Sequence, residues 1–258
     1  MNERVAPSPA TARRASDGRP LDSGRVEPRV LLFDVDGTLI RSGGAGSRAL
    51  ERAVAEAFGL GPVKASFSFA GGTDRAIFRR LLRECGVEPT EDALARTVAV
   101  YLAILEEEIA AAAAYRVNPG IEPALEALAG RAAAHAASLA VGLGTGNVEA
   151  GARIKLARAD LNRHFAFGGF GCDDEDRAAL LRAGAARGAA RLGAAPGACR
   201  VLVIGDTPRD VAAAHAIGAR CLAVATGGAT PDALAAAGAD YVFDSLAAPG
   251  ALDVLLEG

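Results

Sequence analysis

Short apolar runs alternating with helical patterns predict an α/β fold: a doubly wound parallel sheet with a helical insertion after its first strand. The runs cover residues 30–33, 139–143, 201–204, 221–225 and 241–243. Several are rich in β-branched residues, and glycine or a polar turn follows most of them. Strands covered on both faces read this way, because neither side of the pleat meets water. Helical spacing fills the stretches 148–158, 176–191, 210–217 and 232–237. Strands alternating with such helices imply right-handed crossovers within one sheet. Residues 165–167 offer one further short strand.

The interval from Ser42 to Asn118 breaks this rhythm. It holds helix-like stretches at 45–58, 74–85 and 91–113 and no convincing sheet strand. Gly43-Gly44 at one edge and Asn118-Pro119-Gly120 at the other supply hinge and turn chemistry. The expected organisation is therefore a disordered tail over residues 1–28, a core formed by 29–42 with 119–258, and a helical cap over 43–118.

Composition excludes several classes of function. A chain of 258 residues that is 51% hydrophobic can bury a substantial core. Its formal charge of −3 argues against a dedicated nucleic-acid surface. Cys85, Cys172, Cys199 and Cys221 are scattered without metal-binding spacing, as expected of free thiols in a reducing compartment. The first 29 residues lack the apolar stretch of a secretory signal, and nothing approaches 18 uninterrupted apolar residues. A cytoplasmic protein without a membrane partner, monomeric or homodimeric, is expected.

The chemistry begins at residues 34–39, Asp-Val-Asp-Gly-Thr-Leu, directly after the first apolar run. A buried strand would deliver two carboxylates to a tight glycine turn at its C-terminal end, where open α/β sheets bind ligands. Acids placed so close repel unless a cation joins them. A divalent metal with a phosphate substrate answers this economically. Further along, Leu143-Gly144-Thr145-Gly146-Asn147 separates a strand from a helix, and Gly205-Asp206-Thr207-Pro208-Arg209-Asp210 ends the run at 201–204.

These motifs, in this order, resemble the haloacid dehalogenase-like superfamily of aspartate-nucleophile phosphohydrolases over residues 30–245. The resemblance implies a Rossmann-like core and Mg²⁺-dependent hydrolysis of a small phosphorylated metabolite, most like the phosphoglycolate-phosphatase branch. Asp34 would be the nucleophile and Asp36 the general acid and base. Gly37, Thr145 and Gly146 would hold the phosphate. Asp34, the Asp36 carbonyl, Asp206 and Asp210 would surround the metal. In the cap, Gly72, Thr73 and Arg75 correspond to a substrate-specificity loop.

The third motif departs from the family pattern. A lysine is usual there, to offset the nucleophile's charge, but the stretch from Phe170 to Arg177 contains none. Arg177 is the position that fits, as a catalytic and phosphate-binding cation. Lys155, one of only two lysines, reads as a solvent-facing residue of an amphipathic helix. A β-phosphoglucomutase-like phosphomutase and a catalytically idle, partner-binding scaffold remain as alternatives.

Overall fold

The computed structural model describes residues 27–135 and 138–257, so the tail expected over 1–28 lies almost entirely outside the described residues. The chain opens with β1 (Arg29–Phe33), β2 (Ile40–Arg41), α1 (Ala45–Phe58), α2 (Asp74–Glu84) and α3 (Glu91–Ala111). It continues through β3 (Arg116–Val117), α4 (Ile121–Ala134), β4 (Leu139–Thr145), α5 (Glu149–Ala157), β5 (Gly168–Phe170) and α6 (Arg177–Arg191). The last elements are β6 (Arg200–Gly205), α7 (Pro208–Ala216), β7 (Arg220–Val224), α8 (Pro231–Ala236), β8 (Tyr241–Phe243) and α9 (Ala251–Glu257).

Six strands form a parallel sheet in the order β5-β4-β1-β6-β7-β8. β1 lies at the centre, where the strand order reverses between β4 and β6. That reversal opens a crevice at the C-terminal edge of the sheet. Alternation along β1 divides the core into two layers. Leu31 and Phe33 join Leu125, Leu156 and Leu255 on one face. Val30 and Leu32 join Leu180, Leu181, Val211 and Leu234 on the other. With helices on both faces, the strands need apolar residues at every position, which is why their sequence runs are continuous.

Helices α1, α2 and α3 build a third apolar cluster around Val54, Phe78, Leu81, Tyr101 and Leu105. Phe78 and Tyr101 meet edge to face, their centroids 5.3 Å apart. This unit leaves the core after β2 and returns through β3. The two strands pair antiparallel, Ile40 opposite Val117 and Arg41 opposite Arg116. This ribbon was not expected, since two-residue strands carry no periodicity to read.

The short strand expected at 165–167 lies instead at Gly168–Phe170. A 3₁₀ turn over Leu161–His164 precedes it, and Phe165 fills the core beside Phe33. Glycine is needed at Gly169 for close packing. A Cβ on Gly169 would sit within 1.9 Å of the Leu180 carbonyl oxygen in α6.

Candidate active site

Asp34 follows the last residue of β1. Its amide donates to the Ile204 carbonyl at 2.9 Å, so the residue still tracks the sheet as its carboxylate enters the crevice. The chain then turns back at once, with the Gly37 amide donating to the Ile40 carbonyl at 2.8 Å. Gly37 has a φ of 90°, and a Cβ there would lie 2.4 Å from Asp206 Oδ2. Both facts demand glycine. Asn118, at the return from the helical unit, donates to the carbonyls of Gly37 and Thr38, each at 2.8 Å. The entry to and exit from α1–α3 are thus tied to the turn that carries the acids.

β6 brings Asp206 to the same edge, and α7 brings Asp210. Carboxylate oxygens of Asp34, Asp206 and Asp210 all lie within 4.8 Å of one another, and all three residues are buried. Asp206 Oδ1 accepts from the Thr38 hydroxyl at 3.0 Å. Asp210 also closes the capping box of α7: its Oδ2 accepts from the Thr207 amide at 3.0 Å and the Thr207 hydroxyl at 2.7 Å. Burial is the main force raising Asp34 and Asp206. It pushes Asp34 up to about 6, with Arg177 pulling the other way and Asp210 adding to the rise. Asp206 is pushed up to about 8 by burial and then by Asp210 and Asp34.

Arg177 opens α6 and reaches into this cluster. Its Nε donates to Asp210 Oδ1 at 2.8 Å, and its Nη2 lies 2.5 Å from the same oxygen and 3.1 Å from Asp34 Oδ1. Burial lowers the guanidinium's pKa, but the facing Asp210 and Asp34 outweigh it and drive it above the ordinary arginine value. Nη2 is buried and close to both carboxylates, yet its N–H bonds are aimed well at neither. It therefore has donor capacity for an anion entering the cavity.

Lys155 overturns the expectation of a solvent-facing residue. It is 3% exposed, and its Nζ lies 2.6 Å from Asp36 Oδ2 and 2.5 Å from Asn147 Oδ1. Asn147 Nδ2 completes the triangle, donating to Asp36 Oδ2 at 2.9 Å. The misreading has a geometric origin. The stretch Arg153-Ile154-Lys155-Leu156 looks amphipathic, but Lys155 lies three and four residues beyond Ala152 and Gly151, on the buried face of α5. Burial lowers the Lys155 pKa, while Asp36, Tyr101 and Asp74 raise it, with a net shift upward. The site thus holds two cations on different acids: Arg177 on Asp34 and Lys155 on Asp36.

Asp74 and Tyr101 are further residues that sequence reasoning did not assign to the site. Asp74 sits at the start of α2 and is buried, and its Oδ2 accepts from the Val148 amide at 2.9 Å. A carboxylate from the helical unit thus satisfies a free amide at the start of α5 in the core. The Asp74 amide donates to the Gly146 carbonyl at 2.8 Å. Burial pushes Asp74 up to about 6, with Lys155 opposing the rise. The buried Tyr101 hydroxyl finds no hydrogen-bond partner among the described groups. Its pKa is raised by burial and by Asp74, with Lys155 opposing.

A cavity of about 770 Å³ brings most of the expected residues together. Asp34, Asp36, Gly37, Gly72, Gly146, Lys155, Arg177 and Asp206 line it. Thr145 is fully buried just behind, its Oγ1 accepting from the Asn147 amide at 3.3 Å. Two residues of the expected specificity loop are placed elsewhere. Arg75 turns away to Glu91 at 2.6 Å and Glu175 at 3.6 Å and does not line the cavity. A carboxylate on each side holds it outside. Thr73 is buried with its hydroxyl donating to the Glu175 carbonyl at 3.1 Å, a contact that fixes the loop.

Comparison with known proteins agrees with this architecture. The family model for haloacid dehalogenase-like hydrolases matches residues 28–218. No curated protein matches the chain. Among solved structures, CbbY from Rhodobacter sphaeroides, in complex with phosphate, shares 20% identity at a TM-score of 0.64, covering 89% of this chain and 100% of its own. A phosphoglycolate phosphatase predicted in Haemophilus somnus 129pt shares 18% at 0.63, covering 90% and 99%. A hydrolase from Pseudomonas syringae shares 22% at 0.60, covering 86% and 94%. At these identities the structures attest the fold. Together with the family model and the ordered motifs, they lead to one conclusion: this chain belongs to the haloacid dehalogenase-like hydrolases.

Proposed function

We propose that the protein is a Mg²⁺-dependent phosphatase acting on a small phosphomonoester through an aspartyl phosphate on Asp34. One observation carries this reading. Three buried carboxylates and an incompletely engaged guanidinium converge at the end of the central strand, beside a cavity of substrate size. Such a cluster holds one phosphoryl group and one cation in contact with a nucleophile.

The donor set fits Mg²⁺. It consists of hard oxygens, and burial has already made the ionised acids unfavourable, so a cation among them relieves a real electrostatic cost. Asp34 and Asp206 would hold the ion, with the Asp36 carbonyl as the family resemblance implies. Both Asp210 oxygens are occupied by Arg177 and the α7 cap, so Asp210 orients its neighbours. When bound, Mg²⁺ supplies positive charge to the phosphoryl oxygens and the nucleophile.

The chain's own residues then divide the work. Asp34 attacks phosphorus and the bond to the ester oxygen breaks, while Asp36 gives that oxygen a proton. Asp36 next takes a proton from the water that cleaves the acyl phosphate. Arg177, the Thr145 hydroxyl and the Gly146 amide hold the non-bridging oxygens, where charge concentrates during transfer. Lys155 and Asn147 fix the Asp36 side chain beside the reacting bond. The helical unit α1–α3 covers the site and limits access of bulk water.

Phosphate release from an aryl phosphate in the presence of Mg²⁺ is the direct test. EDTA should abolish it and excess Mg²⁺ restore it; release indifferent to the chelator would overturn the metal assignment. Lys155→Ala should lower kcat on the order of 10²-fold, the lower end of what a misplaced general acid costs. Turnover at the wild-type rate would show that Lys155 only fills space.

A further inference from the structure

The β2–β3 ribbon places two arginines in an arrangement that stability alone does not favour. Arg41 and Arg116 are direct cross-strand partners, and like charges so placed repel. Both line the cavity that holds Asp34 and Asp36. Among the described residues, neither has a carboxylate within ion-pair distance. The cavity's acids are engaged with other partners: Asp34 with Arg177, Asp36 with Lys155, Asp74 with the Val148 amide and Asp206 with Thr38.

Arg41 is also tied to the loop that packs against Asp206. Its Nη2 donates to the Gly227 carbonyl in the loop after β7. Gly227 presses on Asp206 so closely that a Cβ would fall 1.5 Å from Asp206 Oδ2. One residue therefore separates the Arg41 guanidinium from the acid cluster. A guanidinium carries five N–H donors, and this anchor uses one. The remaining donors belong to a side chain that lines the same cavity as Asp34.

We propose that Arg41 and Arg116 form a second anion subsite, selecting phosphomonoesters whose leaving group carries a further carboxylate or phosphate. The proposal rests on the phosphatase reading and narrows its substrate class. Two opposed guanidiniums suit a forked anion, and the anion removes their mutual repulsion. In place of the displaced Arg75, the hinge ribbon supplies the recognition expected of the specificity loop.

The test measures kcat/KM by phosphate release for a neutral-ended polyol monophosphate, an α-phosphoryloxy carboxylate and a sugar bisphosphate. The wild type should prefer one doubly anionic substrate over the neutral one by roughly 10- to 100-fold, the range of charge-assisted contacts. Which one it prefers names the second anion. The double variant Arg41→Met with Arg116→Met should lose at least tenfold of that preference, mainly through KM. The corresponding double lysine variant should keep part of it. If the methionine variant does not fold, Arg116→Gln carries the same comparison, because Arg116 is exposed and has no side-chain hydrogen bond among the described residues. A wild type without preference, or a preference the variants leave intact, overturns the subsite alone. No phosphate release from any substrate, the aryl phosphate included, overturns the phosphatase reading and the subsite with it.

Discussion

Replacing Asp34 with asparagine is expected to reduce phosphate release by about 10⁴-fold or more, as removal of a covalent nucleophile does. The substitution keeps shape and removes charge, so a folding defect should not confound the result. Stability in metal-free buffer should hold or rise. The direction follows from burial, which lifts the Asp34 pKa from 3.8 to about 6. A carboxylate raised on folding costs nothing below its unfolded pKa. The cost grows as pH climbs through that interval and is complete above about 6. Asparagine removes it, at the expense of one ion pair with Arg177. Thermal melts at pH 4 and pH 8 would measure the difference, which should favour the variant only at the higher pH. Turnover retained by the variant would end the nucleophile assignment.

Arg177→Ala is expected to lower kcat by about 10²- to 10³-fold, the effect of deleting one donor to a developing oxyanion. It should also destabilise the metal-free protein by about 3–5 kcal/mol, because Asp34 and Asp210 would stay buried without their guanidinium. Added Mg²⁺ should recover part of that stability, since an ion bound to the folded state alone raises its melting temperature. Arg177→Lys should recover part of the activity only. Lysine supplies the charge but lacks the fork that lets one side chain serve Asp210 through Nε while Nη2 lies beside Asp34. Wild-type turnover in Arg177→Ala would remove the residue from the reaction.

The two cations show how far the sequence could be read. Arg177 was legible because the family pattern leaves a gap where a cation belongs, and an arginine stands in it. Lys155 was not, because its surroundings, Arg153-Ile154-Lys155-Leu156, read as an ordinary amphipathic helix. A helix of nine residues has little periodicity with which to contradict that reading. Arg75 failed in the opposite direction. Its motif invited a substrate contact, but Glu91 and Glu175 come from other parts of the chain and hold it outside.

The same contrast separates the two kinds of information in this protein. Local order determined the strands, the Asp-Val-Asp-Gly turn and the acids at Asp206 and Asp210. Each is set by burial on both faces of a strand or by the chemistry of the few residues after it. The doubly wound parallel sheet and the helical insertion followed from alternation and from the interval where alternation stops. Tertiary structure decided which cation meets which acid, that Asp74 caps a core helix, and that Arg41 faces Arg116. These are contacts between segments far apart in the chain. Their partners are chosen by strand register and helix rotation, which no short stretch of sequence specifies.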